Sequence, residues 1–144
     1  MVIIRAYEES DFEEVVEMYY NMVLEVYPHR QFKSKQHFYA NVINWITWNY
    51  DIMITVKDDI ITGFNMCYVD SMGGICEDYY QGECIYIKPE YRKTRSAYLL
   101  YTASIIYAKK MGYILSTNAS DITESSHISN KLGLRVFTKF EKLP

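Results

Sequence analysis

Apolar positions in the first third of the chain recur with the spacing of two helices that follow one strand. The apolar run at residues 2–4 predicts the strand. A helix that ends at Pro28 is predicted by apolar residues three or four apart, namely Phe12, Val15, Val16, Tyr19, Val23 and Val26. Ser10-Asp11 followed by Glu13-Glu14 predicts a capping box at its start. A second helix would bury a stripe made of Phe38, Val42, Trp45 and Ile46.

The middle of the chain alternates apolar and polar residues, which predicts strands. Residues 52–56 and 60–69 are separated by Lys57-Asp58-Asp59, which predicts an antiparallel hairpin interrupted at Gly63. The sequence then predicts a loop over residues 70–82 and a further strand over residues 83–88.

The last third of the chain predicts a long helix followed by a strand, a helix and a strand. The long helix covers about residues 95–111 and ends at Gly112, which suits a left-handed cap. Its buried stripe is predicted to contain Leu99, Ala103, Ile106 and Lys110, widened by Leu100 and Tyr107. Residues 113–117 predict a strand, residues 121–132 a helix, and the alternation after Gly133 a last strand.

The predicted order is β-α-α-β-β-β-α-β-α-β within a single domain, residues 1–144. The strand at 83–88, the long helix and the strand at 113–117 form a βαβ unit, which requires parallel pairing. The fold class is therefore α/β, of the mixed α+β kind. It has a central, mostly antiparallel sheet with one parallel βαβ unit and helices on both faces.

Composition and charge exclude several function classes. The net charge of −3 argues against a nucleic-acid-binding protein. The three cysteines form no CxxC pair, and no cluster of residues predicts a metal site. No apolar run reaches the length of a membrane span, and the opening MVIIRAYEESD is no signal peptide. We therefore expect a cytoplasmic protein that binds neither membranes nor nucleic acid.

A basic turn stands out in this acidic chain, at the junction between a predicted strand and the long helix. It reads Arg92-Lys93-Thr94-Arg95, after Pro89. Cations at a helix N-terminus oppose the helix dipole, whereas the free amide groups there attract anions. The turn is therefore either a solvated helix start or a site for an anion such as a phosphate.

The stretch IYIKPEYRKTRSAYLL resembles the pyrophosphate-binding segment of the GNAT superfamily of acyl-CoA-dependent N-acyltransferases. The segments IIRAYEESDFEEVVEMY, IITGF and SHISNKLGLRVF are similar to other parts of that family, so the resemblance covers nearly the whole chain. It implies acetyl-CoA as co-substrate and an amine acceptor, either a small molecule or a peptide. The resemblance assigns CoA contacts to Ile85, Tyr86, Ile87, Arg92, Lys93, Thr94, Arg95, Ser96, Ala97 and Asn118.

The resemblance also points to catalytic residues on the strand before the basic turn. Glu83, at the start of that strand, is the first candidate for the base, with Glu77 and Asp78 as alternatives. Candidates for the acid that protonates the departing CoA thiolate are Tyr86, Tyr79, Tyr80 and His127. The acceptor would bind near residues 27–34, residues 70–82 and Glu83.

Three departures from the family pattern leave a second function open. Arg95 stands where the family has glycine, Ser129 stands where many members have an acidic tyrosine, and the chain ends at Pro144 with room for one last strand. The wall that the family's final hairpin gives the acceptor site is therefore reduced, or is supplied by a second copy in a homodimer. The alternative to an acetyltransferase is a catalytically degenerate protein of this fold that acts as a CoA-binding or protein-interaction module.

Overall fold

Five strands and three helices form the described part of the chain. The computed structural model describes residues 1–29, 32–46, 50–71, 78–117 and 131, with the backbone alone at 43–45 and 117. The elements are β1 (Val2–Ala6), α1 (Phe12–Val26), α2 (Lys35–Ile46), β2 (Asp51–Lys57), β3 (Ile60–Asp70), β4 (Tyr79–Ile87), α3 (Ser96–Met111) and β5 (Ile114–Thr117). This confirms the predicted order as far as β5. The helix predicted at 121–132 and the strand after it lie outside the described residues.

The strands lie side by side in chain order, β1-β2-β3-β4-β5. The pairs from β1 to β4 are antiparallel, and β4 pairs with β5 in parallel. The parallel pair is joined by α3, as a crossover connection requires. The predicted mixed sheet with one βαβ unit is confirmed.

The two faces of the sheet are covered by different helices. One core cluster joins α1 and α2 to the sheet and consists of Val15, Val16, Met18, Val42, Ile46, Ile52, Ile54, Phe64, Met66 and Tyr86. On the other face, Cys67 and Tyr80 pack against Ala108 of α3. Tyr80 and Tyr86 of β4 therefore face different helices, although a separation of six residues would place them on one face of a regular strand.

The loop predicted over residues 70–82 is too long at its carboxyl end. β4 begins at Tyr79, where it pairs with Asp70 of β3 and with Ile114 of β5. The residues Gln81 and Gly82 hide the strand pattern in the sequence, yet both pair with β3 and with β5, because ladder hydrogen bonds are made by the main chain.

The capping box predicted from Ser10-Asp11 and Glu13-Glu14 is present at other residues, with Glu8 as the N-cap and Asp11 as the third residue after it. A single 3₁₀ turn over Glu9–Asp11 precedes α1, and the N–H of Glu8 donates a 2.8 Å hydrogen bond to Asp11 Oδ2. The same carboxylate accepts two hydrogen bonds from the guanidinium of Arg5, at 2.7 and 2.8 Å. The Asp11 carboxylate therefore joins β1 to the start of α1 and caps no amide of the helix.

The buried face of α3 also differs from the predicted stripe. Ile106 is 62% exposed, and the buried residues are Ser96, Leu100, Tyr101, Ser104 and Ala108. The serines face the sheet because β3 offers them polar partners. Asn65 Nδ2 donates to Ser104 Oγ at 2.7 Å, for example. The predicted cap at Gly112 is confirmed, with φ of 75°.

No helix in the described ranges is long and apolar enough to cross a lipid bilayer.

We expect Asp11→Asn to lower the free energy of unfolding at neutral pH by about 1–2 kcal/mol. A fully buried, hydrogen-bonded charge pair would contribute more than this to stability. The one-third exposure of the Arg5 side chain reduces the contribution of this pair. The hydrogen bonds from Arg5 lower the pKa of Asp11, so this stabilisation is present above about pH 4 and is lost as the pH falls through the folded pKa. Urea unfolding of the wild type and of Asp11→Asn across this pH range measures the difference in their free energies of unfolding.

The difference in the free energy of unfolding between the wild type and Asp11→Asn should become smaller as the pH falls below about 4. A difference that stays constant with pH would contradict the assignment to the Asp11 carboxylate. Glu13→Gln, at an exposed position of α1, is the matched control and should change stability little.

Candidate functional site

Glu83 is an extra residue in β4. Met66 of β3 pairs with Cys84 and Cys67 pairs with Gly82, so Glu83 has no partner in the register. An insertion of this kind is a β-bulge, which bends a strand and redirects a side chain. The candidate base therefore stands at the point where β4 departs from regular pairing.

The half-buried Glu83 carboxylate acts electrostatically on three tyrosines, in α1, in β3 and just before β2. Burial is the main cause that raises the pKa of Tyr19, Tyr50 and Tyr68, and the Glu83 carboxylate raises each of them further. The rings of Tyr50 and Tyr68 meet edge to face, with centroids 5.6 Å apart. Since Tyr19 belongs to α1, Glu83 faces the side of the sheet that α1 and α2 cover.

The carboxyl-terminal half of β4 has one strand neighbour among the described residues. β3 pairs with β4 up to Ile87, whereas β5 pairs with β4 at Tyr79–Gly82 alone. The main chain from Glu83 to Ile87 therefore faces no described strand on the β5 side. This is the stretch in which the sequence predicts CoA contacts from Ile85, Tyr86 and Ile87.

Tyr86 shares the α1 face of β4 with Glu83. It is 8% exposed and packs on Phe64, with ring centroids 6.3 Å apart. Burial, followed by the charge of Glu25, raises the pKa of its phenol. The structure thus brings both predicted catalytic residues to one face, with Tyr86 in its protonated form at neutral pH.

The basic turn contains one cation that is already engaged. Arg92 donates to Glu25 Oε2 of α1 at 2.5 Å and to the carbonyl oxygen of Ile87 at 3.1 Å. Its guanidinium also lies over the ring of Tyr86, 5.5 Å from the centroid. Arg92 therefore attaches the turn to α1 and β4.

Lys93 and Arg95, by contrast, are exposed, and neither has an ion-pair partner in the described part of the chain. Arg95 is the residue before α3. The first amides of a helix have no partner within it and carry the positive end of the dipole. The turn therefore presents two mobile cations beside a helix start.

Thr94 and Ser96 hold the turn together through their side chains. Thr94 Oγ1 donates to the carbonyl oxygen of Tyr91 at 2.6 Å, and Ser96 N–H donates to Thr94 Oγ1 at 3.3 Å. The side chain of Ser96 is fully buried and points toward the sheet, whereas that of Ala97 is half-buried. The sequence predicted all three as CoA contacts, but the N–H of Thr94 already donates to the carbonyl oxygen of Tyr91 at 3.0 Å and that of Ser96 to Thr94 Oγ1. Among the hydrogen bonds of the described residues, the turn leaves the amide of Ala97 for an anion.

The remaining candidates are distributed less favourably. Asp78 is exposed just before β4, and Tyr79 is half-buried at its first position. Tyr80 is buried against α3, on the face opposite Glu83. Glu77, Asn118, His127 and Ser129 lie outside the described residues. Within the described ranges, no group of three or more histidine, cysteine or acidic side chains is placed to hold a metal ion.

Sequence reasoning missed the tyrosines around Glu83 and the partner of Arg92. Tyr19, Tyr50 and Tyr68 are far apart in the chain, and no spacing links them to Glu83. The sequence feature related to these tyrosines is the high tyrosine content of 15 residues, which does not indicate where any of them lies. Glu25 precedes Arg92 by 67 residues, so no local pattern could pair them.

No protein-family model matches the sequence, and a search of curated proteins finds no sequence relative. Solved structures, however, match the whole chain. A structure described as a transcriptional regulator from Bacillus halodurans C-125 has a TM-score of 0.78 at 18% identity, and the match covers 100% of this chain and 99% of that one. A predicted acetyltransferase with acetyl-CoA from Clostridium acetobutylicum has a TM-score of 0.74 at 12% identity, with 100% and 96% covered.

AAC(6')-Iy in complex with the bisubstrate analog CoA-S-monomethyl-acetylneamine has a TM-score of 0.71 at 15% identity, with 100% and 97% covered. Acetyltransferases recur among these full-length matches. The chain therefore has the fold of the GNAT acetyltransferases, and the predicted fold class is confirmed.

Proposed function

We propose that this protein is an N-acetyltransferase that moves an acetyl group from acetyl-CoA to an amine. The observation that carries the proposal is the bulge at Glu83, a half-buried carboxylate on the strand that leads into the basic turn. The acetyltransferases that share the fold, some with acetyl-CoA or a CoA analog in their structures, support it.

The start of α3 has the chemistry that a diphosphate requires. Unpaired amides and the helix dipole favour an anion there, and the exposed Lys93 and Arg95 add charge. Ala97 contributes its main-chain amide, whereas Thr94 and Ser96, whose amides are bonded within the turn, keep the turn in shape. Arg92 holds the turn against Glu25 and Ile87, so its role is to keep these groups in place.

The open half of β4 suits the pantetheine arm of acetyl-CoA. The main chain from Ile85 to Ile87 faces no described strand on the β5 side, so the groups that point to that side can bond to the amides of an extended ligand. The carbonyl oxygen of Ile87 already accepts a hydrogen bond from Arg92, and that of Tyr86 lies toward Gly63 of β3, which makes Ile85 the best placed of the three. We assign Asn118, beyond the end of β5, a further CoA contact. The thioester supplies the activated acetyl group.

Glu83 and Tyr86 would perform the proton transfers. An amine must be neutral to attack a thioester, and Glu83 removes its proton directly or through one water. Tyr86 is protonated at neutral pH, as a phenol ordinarily is, so it can give a proton to the departing thiolate, although burial raises its pKa and so weakens it as an acid. Both side chains face α1, where the acceptor would enter.

The acceptor is an amine, and the charges near Glu83 favour one that carries positive charge. No lysine, arginine or histidine occurs between residues 60 and 87, whereas that stretch contains Asp70, Glu77, Asp78 and Glu83. Asp70 and Asp78 are exposed at the ends of β3 and β4 that meet each other. An acidic entrance of this kind raises the local concentration of a cation.

A second candidate function is a protein of the same fold that binds CoA, or another protein, without transferring an acetyl group. The Arg92–Glu25 contact favours it, because the arginine that opens the family motif is occupied within the protein. Release of CoA thiol measured against a panel of amines separates the two. Binding of acetyl-CoA without release above background would support the second candidate.

We expect Arg95→Ala to weaken the binding of acetyl-CoA about tenfold, as the loss of one charge-assisted hydrogen bond would. The binding of acetyl-pantetheine, which lacks the diphosphate, should not change. Isothermal titration calorimetry with both ligands measures the effect. Lys109→Ala, in the last turn of the same helix, is the matched control.

Equal loss of affinity for both ligands would show that Arg95 does not act on the diphosphate. Wild-type protein that binds no acetyl-CoA at all would overturn the proposed function.

A further inference from the structure

Four hydroxyl groups form a continuous chain from the sheet to the basic turn. Thr55 Oγ1 of β2 lies 2.9 Å from Thr62 Oγ1 of β3, which lies 3.2 Å from Ser96 Oγ at the start of α3. Ser96 Oγ lies in turn 2.9 Å from Thr94 Oγ1. The last hydroxyl, that of Thr94, donates to the carbonyl oxygen of Tyr91 at 2.6 Å.

Three of these side chains, Thr55, Thr62 and Ser96, are completely buried. A buried hydroxyl is unfavourable unless it is hydrogen-bonded, so each of them depends on its neighbours in the chain. The arrangement constrains two strands, one helix and one turn at the same time. It therefore fixes where α3 begins relative to the sheet.

Ser96 is used differently from most serines at helix starts. A serine near the start of a helix commonly caps a free amide of the first turn. No side-chain cap is present at the start of α3, and the Ser96 hydroxyl points inward to Thr62. The Ser96 hydroxyl therefore does not cap the main-chain amides of Ala97 and Tyr98 in the first turn of α3.

The sheet side of this chain is connected to the candidate base. Thr62 belongs to β3, the strand that pairs with β4 around Glu83, and Thr62 accepts the main-chain N–H of Lys88 on its carbonyl oxygen at 2.9 Å. The hydroxyl chain thus links the start of α3 to the pair of strands that carries Glu83. A small displacement of a substrate-binding group is enough to reduce catalysis strongly.

We propose that Ser96 is a positioning residue that, through Thr62 and Thr55, aligns the first-turn amides of α3 with the site around Glu83. The inference rests on the proposed function, because the ligand that these amides would hold is the diphosphate of acetyl-CoA. Ser96 acts through its neighbours and touches no substrate with its hydroxyl.

The test compares Ser96→Ala with Thr102→Ala. Thr102 also bears a hydroxyl on α3, where it donates to the carbonyl oxygen of Tyr98 at 2.8 Å on the exposed side. Ser96→Ala should weaken acetyl-CoA binding by roughly five- to twentyfold, as the displacement of one or two phosphate-binding amides would, and leave acetyl-pantetheine binding unchanged. Thr102→Ala should change neither.

Thr62→Val removes the same link from the sheet side with no change at the turn, and should give the same loss of affinity for acetyl-CoA. The double variant Ser96→Ala with Thr62→Val should lose no more than either single variant, since both break one chain. Amide hydrogen exchange of residues 92–98 should rise in all three variants, which gives a readout that does not depend on activity.

The results separate the inference from the function on which it rests. Wild-type protein that binds acetyl-CoA together with a Ser96→Ala variant of unchanged affinity would overturn the inference and leave the proposed function intact. Additive losses in the double variant would also overturn it. Wild-type protein that binds no acetyl-CoA would remove the proposed function, and the inference with it.

Discussion

Glu83→Gln should lower the turnover of acetyl transfer by about 100- to 1000-fold, which is the usual contribution of a general base. Glutamine keeps the size of the side chain, but it cannot take a proton from the amine. The affinity for acetyl-CoA should stay within about twofold of wild type, because the carboxylate lies away from the turn that would hold the diphosphate. Steady-state kinetics and calorimetry on the same preparations measure the two quantities.

The variant should recover part of its rate at high pH. Aliphatic amines lose their own proton near pH 10, so an external base then replaces the missing carboxylate. Glu13→Gln removes a carboxylate from an exposed position of α1 and should leave turnover unchanged. If Glu83→Gln retains more than half of the wild-type turnover at neutral pH, Glu83 is not the base, and the exposed Asp78 becomes the next residue to test.

The sequence was informative wherever the signal was local. The alternation in β2 and β3, the turn between them and the glycine at 112 each depend on a few neighbouring residues, and the structure confirms all of them. The element order was enough to predict a parallel βαβ unit, because chirality and connection length leave few other topologies.

The features that define the candidate site were not local. The bulge at Glu83 depends on how β3 and β4 are aligned, and a residue that is out of register looks like any other in a sequence. The environment of Glu83 is built from α1, β3 and the residue before β2, none of which adjoins it in the chain. The sequence could therefore name Glu83 but not its surroundings.

The face of α3 illustrates a conflict between residue type and burial. Isoleucine is expected inside and serine outside, yet Ile106 is exposed and Ser96 and Ser104 are buried. The reason is that Thr62 and Asn65 on β3 are buried polar residues that require hydrogen-bond partners, and the serines of α3 supply them. The hydrophobic pattern of one element cannot reveal the polar groups of the element that it packs against.

Gly63→Ala should destabilise the protein by about 2–3 kcal/mol, the usual cost of adding an atom to a closely packed interior. A Cβ atom at this position would lie 2.3 Å from Ile87 Cδ1 and 2.8 Å from the carbonyl oxygen of Tyr86. The Ile87 side chain can turn away, but the Tyr86 carbonyl belongs to the backbone of β4 and can move only with the strand. Thermal unfolding should show a decrease in Tm of roughly 5–10 °C.

Gly112→Ala provides the matched control, because it tests the backbone cost of losing a glycine without any clash. Gly112 has a φ of 75°, and a Cβ atom there would meet no other atom within 4 Å. Its replacement should cost about 1 kcal/mol, which is the strain of a left-handed residue. A Gly63→Ala variant no less stable than Gly112→Ala would mean that β3 and β4 do not approach as closely as described. In that case the alignment that makes Glu83 the bulged residue would be wrong as well, since Gly63 and Met66 lie in the same ladder.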